Sequence, residues 1–588
     1  MKQALLNIIK SVQDALRKDI LMQELPYSYH TFLFPFIWND GGEIQWDEFE
    51  KKILNDRWVN RSWEKEDILD GKNDAEWMQD YAAFQYFTEP ANAAIFNTRN
   101  DNTVRCFEYH HNKKTLKIKD ENNDERTIVR GKYIITKGDK SYKLDINNVR
   151  LHAYDIGVAI LILELENKEY TSLDAVNEIN EYGRRINLPF LTPGGNHPVC
   201  ADKIEITIDD LPFAVENYKD TLAGLEHDFK KESKGLSLNY IMQPIQKLLD
   251  GKEKHEEGYK VSSHLADKNS KKLFIKPCVD DRMFVCCVVN DGDFAKRASK
   301  YNVAEKKYHY ITDCDLRVKD KNIILDNSIS NEVYKFCYIE TSLTCQSAVM
   351  KRKLLENTVY DRWIDYGTFH AMTHHSLVCV STDFHTIYAF LTEYVQLAIL
   401  VLAQRSAILL LSSEASCVAK GFNNNEELTA EQINDIEKLY AKYIKIQNQL
   451  LLSEATVQEQ GVEIYKCIKE QLYIEANKKE LHEQMNNLRD ISNISHERLE
   501  RENGKKQEEG QKEREEVQKE REDRVNFYFN VIATALAMLA IVEPLALWIA
   551  GDFESRASSR IWFFLDLIIV IGLFIWLRTK NKKSERNK

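Results

Sequence analysis

The hydrophobic and polar positions change rhythm three times along this chain. Between Val104 and Leu165, short runs alternate or stay apolar for a few residues: "VRCFEYH", "TLKIK", "RTIVRGKYIIT", "SYKLDI" and "VRLHAYDIGVAILILELE". Such runs predict strands. "TSLDAVNEINEYGRRI" has helical spacing and predicts an amphipathic helix capped by Ser172. "DKIEITI", "KLFIKP" and "DRMFVCCVV" predict further strands, and beyond Asn331 the pattern turns helical. Tyr394–Ser413, "YVQLAILVLAQRSAILLLSS", is apolar but interrupted by Gln396, Gln404 and Arg405. It reads as a buried helix of the body, with a membrane crossing as the alternative.

From Thr429 the chain predicts long helix. "TAEQ" is a capping box, and Ile436, Tyr443, Leu450, Val457 and Ile464 recur every seven residues, as in a coiled coil. Glu497–Arg524 has almost no apolar residue but many opposite charges at helical spacing, which predicts an exposed helix. Two apolar stretches follow, Phe527–Ala550 and Ile561–Leu577. The first is long enough to cross a hydrocarbon core of ~30 Å, and the second is at the short end of the range.

The expected fold class is therefore an α/β cytosolic body with a long helical, coiled-coil-like stalk and two C-terminal transmembrane helices. The expected divisions are a ligand-sensing body over 1–350, a buried helical region over 351–428 and a stalk over 429–526. Transmembrane helices over 527–550 and 561–577 then flank an extracytoplasmic loop at 551–560, and a basic tail occupies 578–588.

Composition sharpens this picture. Only 10 prolines and 21 glycines in 588 residues favour long helices. The formal net charge is −12. The last eleven residues hold six basic groups and one acid, a net of +5, which leaves −17 on the rest. So acidic a body is a poor direct binder of nucleic acid, which is held through its phosphates. The eleven cysteines include no CxxC pair, and the N-terminal "MKQALLNIIKSVQDALRKDI" reads as an amphipathic helix rather than a signal peptide. Both fit a reducing cytosol.

Lysines and arginines flank the two apolar stretches on their outer sides, so both termini and the body are expected in the cytosol. Trp548, Trp562 and Trp576 stand near the span ends, as interfacial indoles do. Asn526, Asn530 and Thr534 share one helix face. They line a pore in one reading and hydrogen-bond between packed helices in the other. Glu543 lies ~12 Å from the outer loop and Asp566 ~9 Å, at 1.5 Å per residue. Intramembrane carboxylates face a wet cavity or a protein interior. Repeated around an axis they form acidic rings that favour cations. Asp566 is equally suited to an ion pair with Arg560, or to standing protonated between helices.

A large α/β body, a helical stalk and two final spans closed by a basic tail resemble the CorA family of membrane cation transporters. The family's Gly-Met-Asn mark is replaced here by "IAGDF", Ile549–Phe553. "HTFLFPFIW", "GVAILILELENKEY", "INEYGRRINLPFL", "DDRMFV", "YDRWIDYGT" and "LAQRSAILLLSSE" resemble a divergent branch found with type III CRISPR systems. The resemblance implies a homopentamer in the inner (cytoplasmic) membrane whose first span lines a pore. It also implies a membrane effector in antiviral defence, gated by the second messenger S-adenosylmethionine joined to AMP (S-adenosylmethionine-AMP). The implied permeating ion is magnesium or another divalent cation. Two alternatives stay open: a constitutive magnesium or cobalt transporter, and a membrane-tethered enzyme.

A nucleotide ligand needs cationic donors for its phosphate and flat or apolar slots for its rings. Arg184 and Arg185 suit the phosphate, or else form a salt bridge. Arg282 is a further ligand candidate or pairs with Asp280 and Asp281. Trp363 and Tyr366 offer stacking faces or pack in the core. His370 and His374, four apart, suit a shared metal if helical, but the following "SLVCV" reads as a strand, so no metal site and no tightly bound cofactor are expected. The chain lacks GxxxxGK(S/T), GxSxG and GxGxxG, which argues against an NTPase, a serine hydrolase or a dinucleotide enzyme and favours a non-catalytic role.

Overall fold

The computed structural model describes residues 25–38, 46–53, 58–60, 83–98, 103–109, 117–119, 125–127, 131–185, 200–208, 211–218, 245, 248–249, 275–278, 282–298, 300–302, 307–309, 327–341, 344–420, 422, 428–550 and eight positions between 564 and 576. The chain divides into two compact units, Met1–Ser492 and Asn493–Lys588.

The first unit is built on a mixed sheet. Its strands are β1 (Ser28–Ile37), β2 (Trp58–Asn60), β3 (Val104–Tyr109), β4 (Lys117–Lys119), β5 (Glu125–Thr127), β6 (Gly131–Lys137), β7 (Lys140–Tyr154), β8 (Val158–Asn167), β9 (Lys203–Ile208) and β10 (Leu211–Asn217). They continue with β11 (Lys276–Pro277), β12 (Phe284–Val289), β13 (Lys300–Asn302), β14 (Lys307–His309), β15 (Val359–Tyr360), β16 (Phe369–Met372) and β17 (Ser376–Val380). The main sheet runs β10-β9-β6-β7-β8-β1-β12-β17-β16-β15; β11 pairs with β1, and β2 and β3 attach beside β7. Its pairings are antiparallel except β12 with β17. β1 lies in the middle, with Phe32 opposite Leu163 of β8 and Val285 of β12.

A central strand is largely apolar on both faces, and "FLFPFI" of β1 is. Phe32, Phe34 and Phe36 join one core cluster with Leu161, Leu163, Val176 and Ile179. The alternating Leu33, Ile160 and Ile162 are equally buried.

The helices are α1 (Trp46–Ile53), α2 (Glu89–Phe96), α3 (Leu173–Gly183), α4 (Gly292–Ala298), α5 (Asn327–Tyr338), α6 (Ala348–Thr358), α7 (Phe384–Ala389), α8 (Val395–Ala419), α9 (Ala430–Gln449), α10 (Glu459–Gln471) and α11 (Ile474–Ala550). A π-helical turn, Phe390–Tyr394, joins α7 to α8. Helix α8 packs on β1 and β8 and against α9 and α10. Phe384–Ala419 is long and apolar enough to cross a membrane, but 83% of its most apolar window is buried within the fold. An all-round apolar helix buried this way is a core helix. Its polar residues have protein partners: Gln404 donates to the Leu450 carbonyl (2.9 Å) and to the Tyr465 hydroxyl (2.8 Å).

The heptad residues from Ile436 to Ile464 do not form one continuous rod. Ile436 and Tyr443 are buried on α9, Leu450 caps it, Val457 is 74% exposed in the connection, and Ile464 is buried on α10. The seven-residue spacing arises because α9 and α10 each bury one stripe of a helix packed within the body, where both contact α8. The capping box at Thr429 and Gln432 is formed as expected, and so is the Ser172 cap, whose hydroxyl accepts from the Ala175 N–H at 3.2 Å.

Helix α11 runs 77 residues without a break. It carries both the charged segment and the first apolar stretch. In the second unit Tyr528, Phe529, Ile532, Leu536 and Leu539 are exposed on it. The eight described positions between 564 and 576 are helical, and Phe564, Leu565, Ile568, Ile569 and Ile571 among them are exposed.

Candidate functional site: a buried arginine cluster

Helix α3 ends at Gly183, with Arg184 as its C-cap. Gly183 permits the close approach: a Cβ there would lie 2.7 Å from Ile135 Cδ1 and 3.1 Å from Phe32 Cε2. Tyr133 also donates its hydroxyl to the Gly183 carbonyl at 2.9 Å. The two following residues meet the start of β12. Arg185 forms an isolated antiparallel bridge with Arg282, and the Met283 N–H donates to the Arg184 carbonyl at 2.7 Å. Backbone pairing thus gathers three arginines from two distant parts of the sequence.

Two of these side chains are almost wholly buried, Arg184 at 2% exposure and Arg185 at 5%. Both bind the carboxylate of Glu181, which lies on the last turn of α3: Arg184 Nη2 at 2.5 Å from Oε2, and Arg185 Nη2 at 3.0 Å from Oε1. One carboxylate therefore serves two guanidinium groups. Burial pulls the Arg184 pKa down to about 10; Glu181 opposes this, while Arg282 and Arg185 add to it. Glu340 also faces the cluster; burial and then Glu181 raise its pKa, and Arg184 lowers it.

Arg184 Nε and Nη1 are buried and make no hydrogen bond among the described residues. Buried donors are nearly always paired, and leaving a buried charge uncompensated is costly. The two nitrogens lie on different edges of the guanidinium, and Nη2, which both edges share, is held by Glu181 and by the Ile339 carbonyl at 3.4 Å, so each could take one oxygen of an anion.

Arg282 donates from Nη2 to His375 Nε2 at 3.3 Å; Asp280 and Asp281 lie outside the described residues. The salt bridges of Arg184 and Arg185 to Glu181 are formed, and Glu181 engages only part of the Arg184 donor set. Trp363 and Tyr366 stand elsewhere. Trp363 precedes and Tyr366 ends a single 3-10 turn, Ile364–Tyr366; they are 39% and 76% exposed, so they are not core residues. Trp363 Nε1 donates to Gln460 of α10 at 2.9 Å. No described contact joins these aromatics to the arginines.

His370 and His374 do not share a helix: His370 lies on β16 and His374 in the turn to β17. His370 is buried among Tyr360, Phe390 and Tyr394, and burial lowers its pKa to about 3. Among the described residues no three His, Cys, Asp or Glu side chains converge as metal ligands.

Of the pore candidates, Asn526, Asn530 and Thr534 are exposed on α11. Thr534 returns its hydroxyl to the Asn530 carbonyl at 2.6 Å, a local bond that occupies that donor. Glu543 lies within α11, its side chain outside the described set. Asp566 is outside the described residues.

Two arrangements escape sequence reasoning. Ser28, His30 and Asn180 form a chain: His30 Nε2 lies 2.9 Å from Ser28 Oγ, and Nδ1 lies 2.6 Å from Asn180 Oδ1. This has the connectivity of a nucleophile, base and orienter. All three are at 0% exposure, and Ser28 Oγ also accepts from Asn167, so the chain is a polar tie inside the sheet. Burial lowers the His30 pKa to about 4 and keeps the ring neutral. Ser28 and His30 share a strand face at i and i+2, the one available signal. The second arrangement is the pair His374 and His375, visible in "HAMTHH" but legible there only as metal ligands.

No protein-family model, no curated protein and no solved structure matches this chain.

Proposed function

We propose that this protein is a membrane effector of CorA type, gated by an anionic nucleotide bound at Arg184, Arg185 and Arg282. The observation that carries the reading is the buried guanidinium of Arg184, with two nitrogens lacking partners among the described residues beside two further arginines. A phosphate is the natural complement of that donor set. By the resemblance the nucleotide is S-adenosylmethionine-AMP.

The membrane part of the reading rests on the two final apolar stretches, which become two transmembrane helices of the inner membrane with body and termini in the cytosol. Copies of the chain, five by resemblance, surround a path lined by Asn526, Asn530, Thr534 and Glu543, with Asp566 beside it. The nucleotide biases a closed–open equilibrium only by its differential affinity for the two states. Opening leaks ions, a divalent cation such as magnesium among them, during type III CRISPR defence.

Ion flux from liposomes holding the full chain tests this, with and without S-adenosylmethionine-AMP. Flux that appears only with the nucleotide is the expected result. Equal flux without nucleotide supports a constitutive divalent-cation transporter instead. Absence of flux under both conditions leaves the apolar stretches as an anchor.

A further inference from the structure

Arg282 is the first member of a chain of contacts that ends at the root of α11. Its guanidinium donates to His375 Nε2 (3.3 Å). The rings of His375 and His374 meet edge to face, with centroids 5.2 Å apart at 85°. His374 Nε2 lies 2.6 Å from Arg405 Nη2 on α8. A guanidinium only donates, so this nitrogen accepts and the proton of the neutral ring sits on Nδ1. That N–H donates to the Gln471 carbonyl at 3.1 Å.

Gln471 is the last residue of α10, where a helix leaves carbonyls without internal partners. His374 supplies one such partner. Two residues on, Tyr473 has φ 55°, a left-handed conformation that bulky side chains rarely adopt. Its N–H reaches the Glu470 carbonyl (3.1 Å), and its own carbonyl accepts from Asn477 (3.0 Å), opening α11. The Tyr473 ring lies 5.8 Å from that of His374. The turn carrying the histidines is itself fixed: Thr373 and Ser376 hydroxyls are 2.6 Å apart, Ser376 Oγ donates to the Cys337 carbonyl (2.6 Å), and Val285 N–H donates to the His375 carbonyl (3.0 Å).

We infer that His375 and His374 link the arginine cluster to the Leu472–Tyr473 joint, so that an anion engaging Arg282 loosens the base of α11. The inference rests on the anion-site reading above and names its regulation. An anion that takes the Arg282 donor withdraws it from His375. The His374 ring then loses its edge support, its bond to Gln471 weakens, and the strained Tyr473 is free to relax. His374 is a positioning residue: it touches the joint, not the anion.

Amide hydrogen exchange of the full chain in detergent tests this, read at Leu472–Asn477, with peptides of β8 reporting the fold. Inorganic phosphate is the probe. Phosphate, Arg282→Gln and His374→Ala are each expected to speed exchange at the joint about tenfold, with β8 unchanged. In His374→Ala, phosphate still binds but adds no further change. Unchanged exchange at the joint in folded Arg282→Gln overturns the link; if that variant loses β8 protection, His375→Asn takes its place with the same two outcomes. A phosphate response that persists in His374→Ala also overturns it. Failure of phosphate to bind the wild-type chain overturns the anion-site reading instead, and Arg282→Gln without phosphate still decides the link.

Discussion

Gly183 and Arg184 are chain neighbours with different duties, and substitutions separate them. Gly183→Ala forces a methyl group against Ile135 and Phe32. Overpacking of this kind costs about 1–3 kcal/mol, and the expected result is a lower unfolding midpoint. Arg184→Gln keeps much of the volume but removes the buried guanidinium. If the proposed nucleotide binds there, losing a charge-assisted bond of about 1.5–3 kcal/mol corresponds to a drop of about 10–100-fold in its affinity, measurable by calorimetry. Arg184 and Arg185 were legible as candidates because they follow a capped amphipathic helix. Glu181 was equally within reach, at helical spacing from both. The meeting with Arg282 was not, since it depends on sheet order, which alternation along single strands does not encode.

Among elements, α8 shows how much hydropathy conveys. Its apolar run is unmistakable, yet lipid and protein interiors look alike to it; Gln404 and Arg405 carried the distinction. Gln404→Leu deletes the bonds to Leu450 and Tyr465 and leaves a buried carbonyl and hydroxyl poorer by one donor. About 1–3 kcal/mol of stability should be lost. The heptad pattern misled for a related reason: a seven-residue stripe records packing on a neighbour, whether that neighbour is a twin rod or α8. Gly461 on α10 is a sharper probe. A Cβ there would lie 2.6 Å from Thr456 Cγ2 and 2.8 Å from Tyr86 Cζ, so Gly461→Ala should loosen α10, seen as faster amide exchange along it. The π-turn bears Glu393, whose pKa burial raises to about 7. A raised carboxyl pKa stabilises the fold fully below its ordinary value of 4.5, and this contribution is lost as pH climbs through 7. Melting curves of wild type and Glu393→Gln should therefore diverge across that window, with the wild type losing relative stability as pH rises.

On the scale of the whole chain, the mixture of sheet and long helices was readable from rhythm alone, whereas the proposed membrane role rests on residues 527–577. If Glu543 belongs to a conduit, Glu543→Gln lowers cation flux through liposomes while nucleotide affinity stays unchanged. If residues 527–577 hold the chain in a membrane, fractionation of cells should find the full chain with the membranes and a chain ending at Asn526 released from them. One further consequence follows from the position of β1. It is the first described strand, yet its neighbours are Val158–Asn167 and Phe284–Val289, and the latter pairs in parallel with Ser376–Val380. During synthesis β1 must wait for most of the body to leave the ribosome before both its edges are covered. Its phenylalanine-rich strand is a sticky edge throughout that interval, and a holdase chaperone acting on the nascent chain is expected to matter most there.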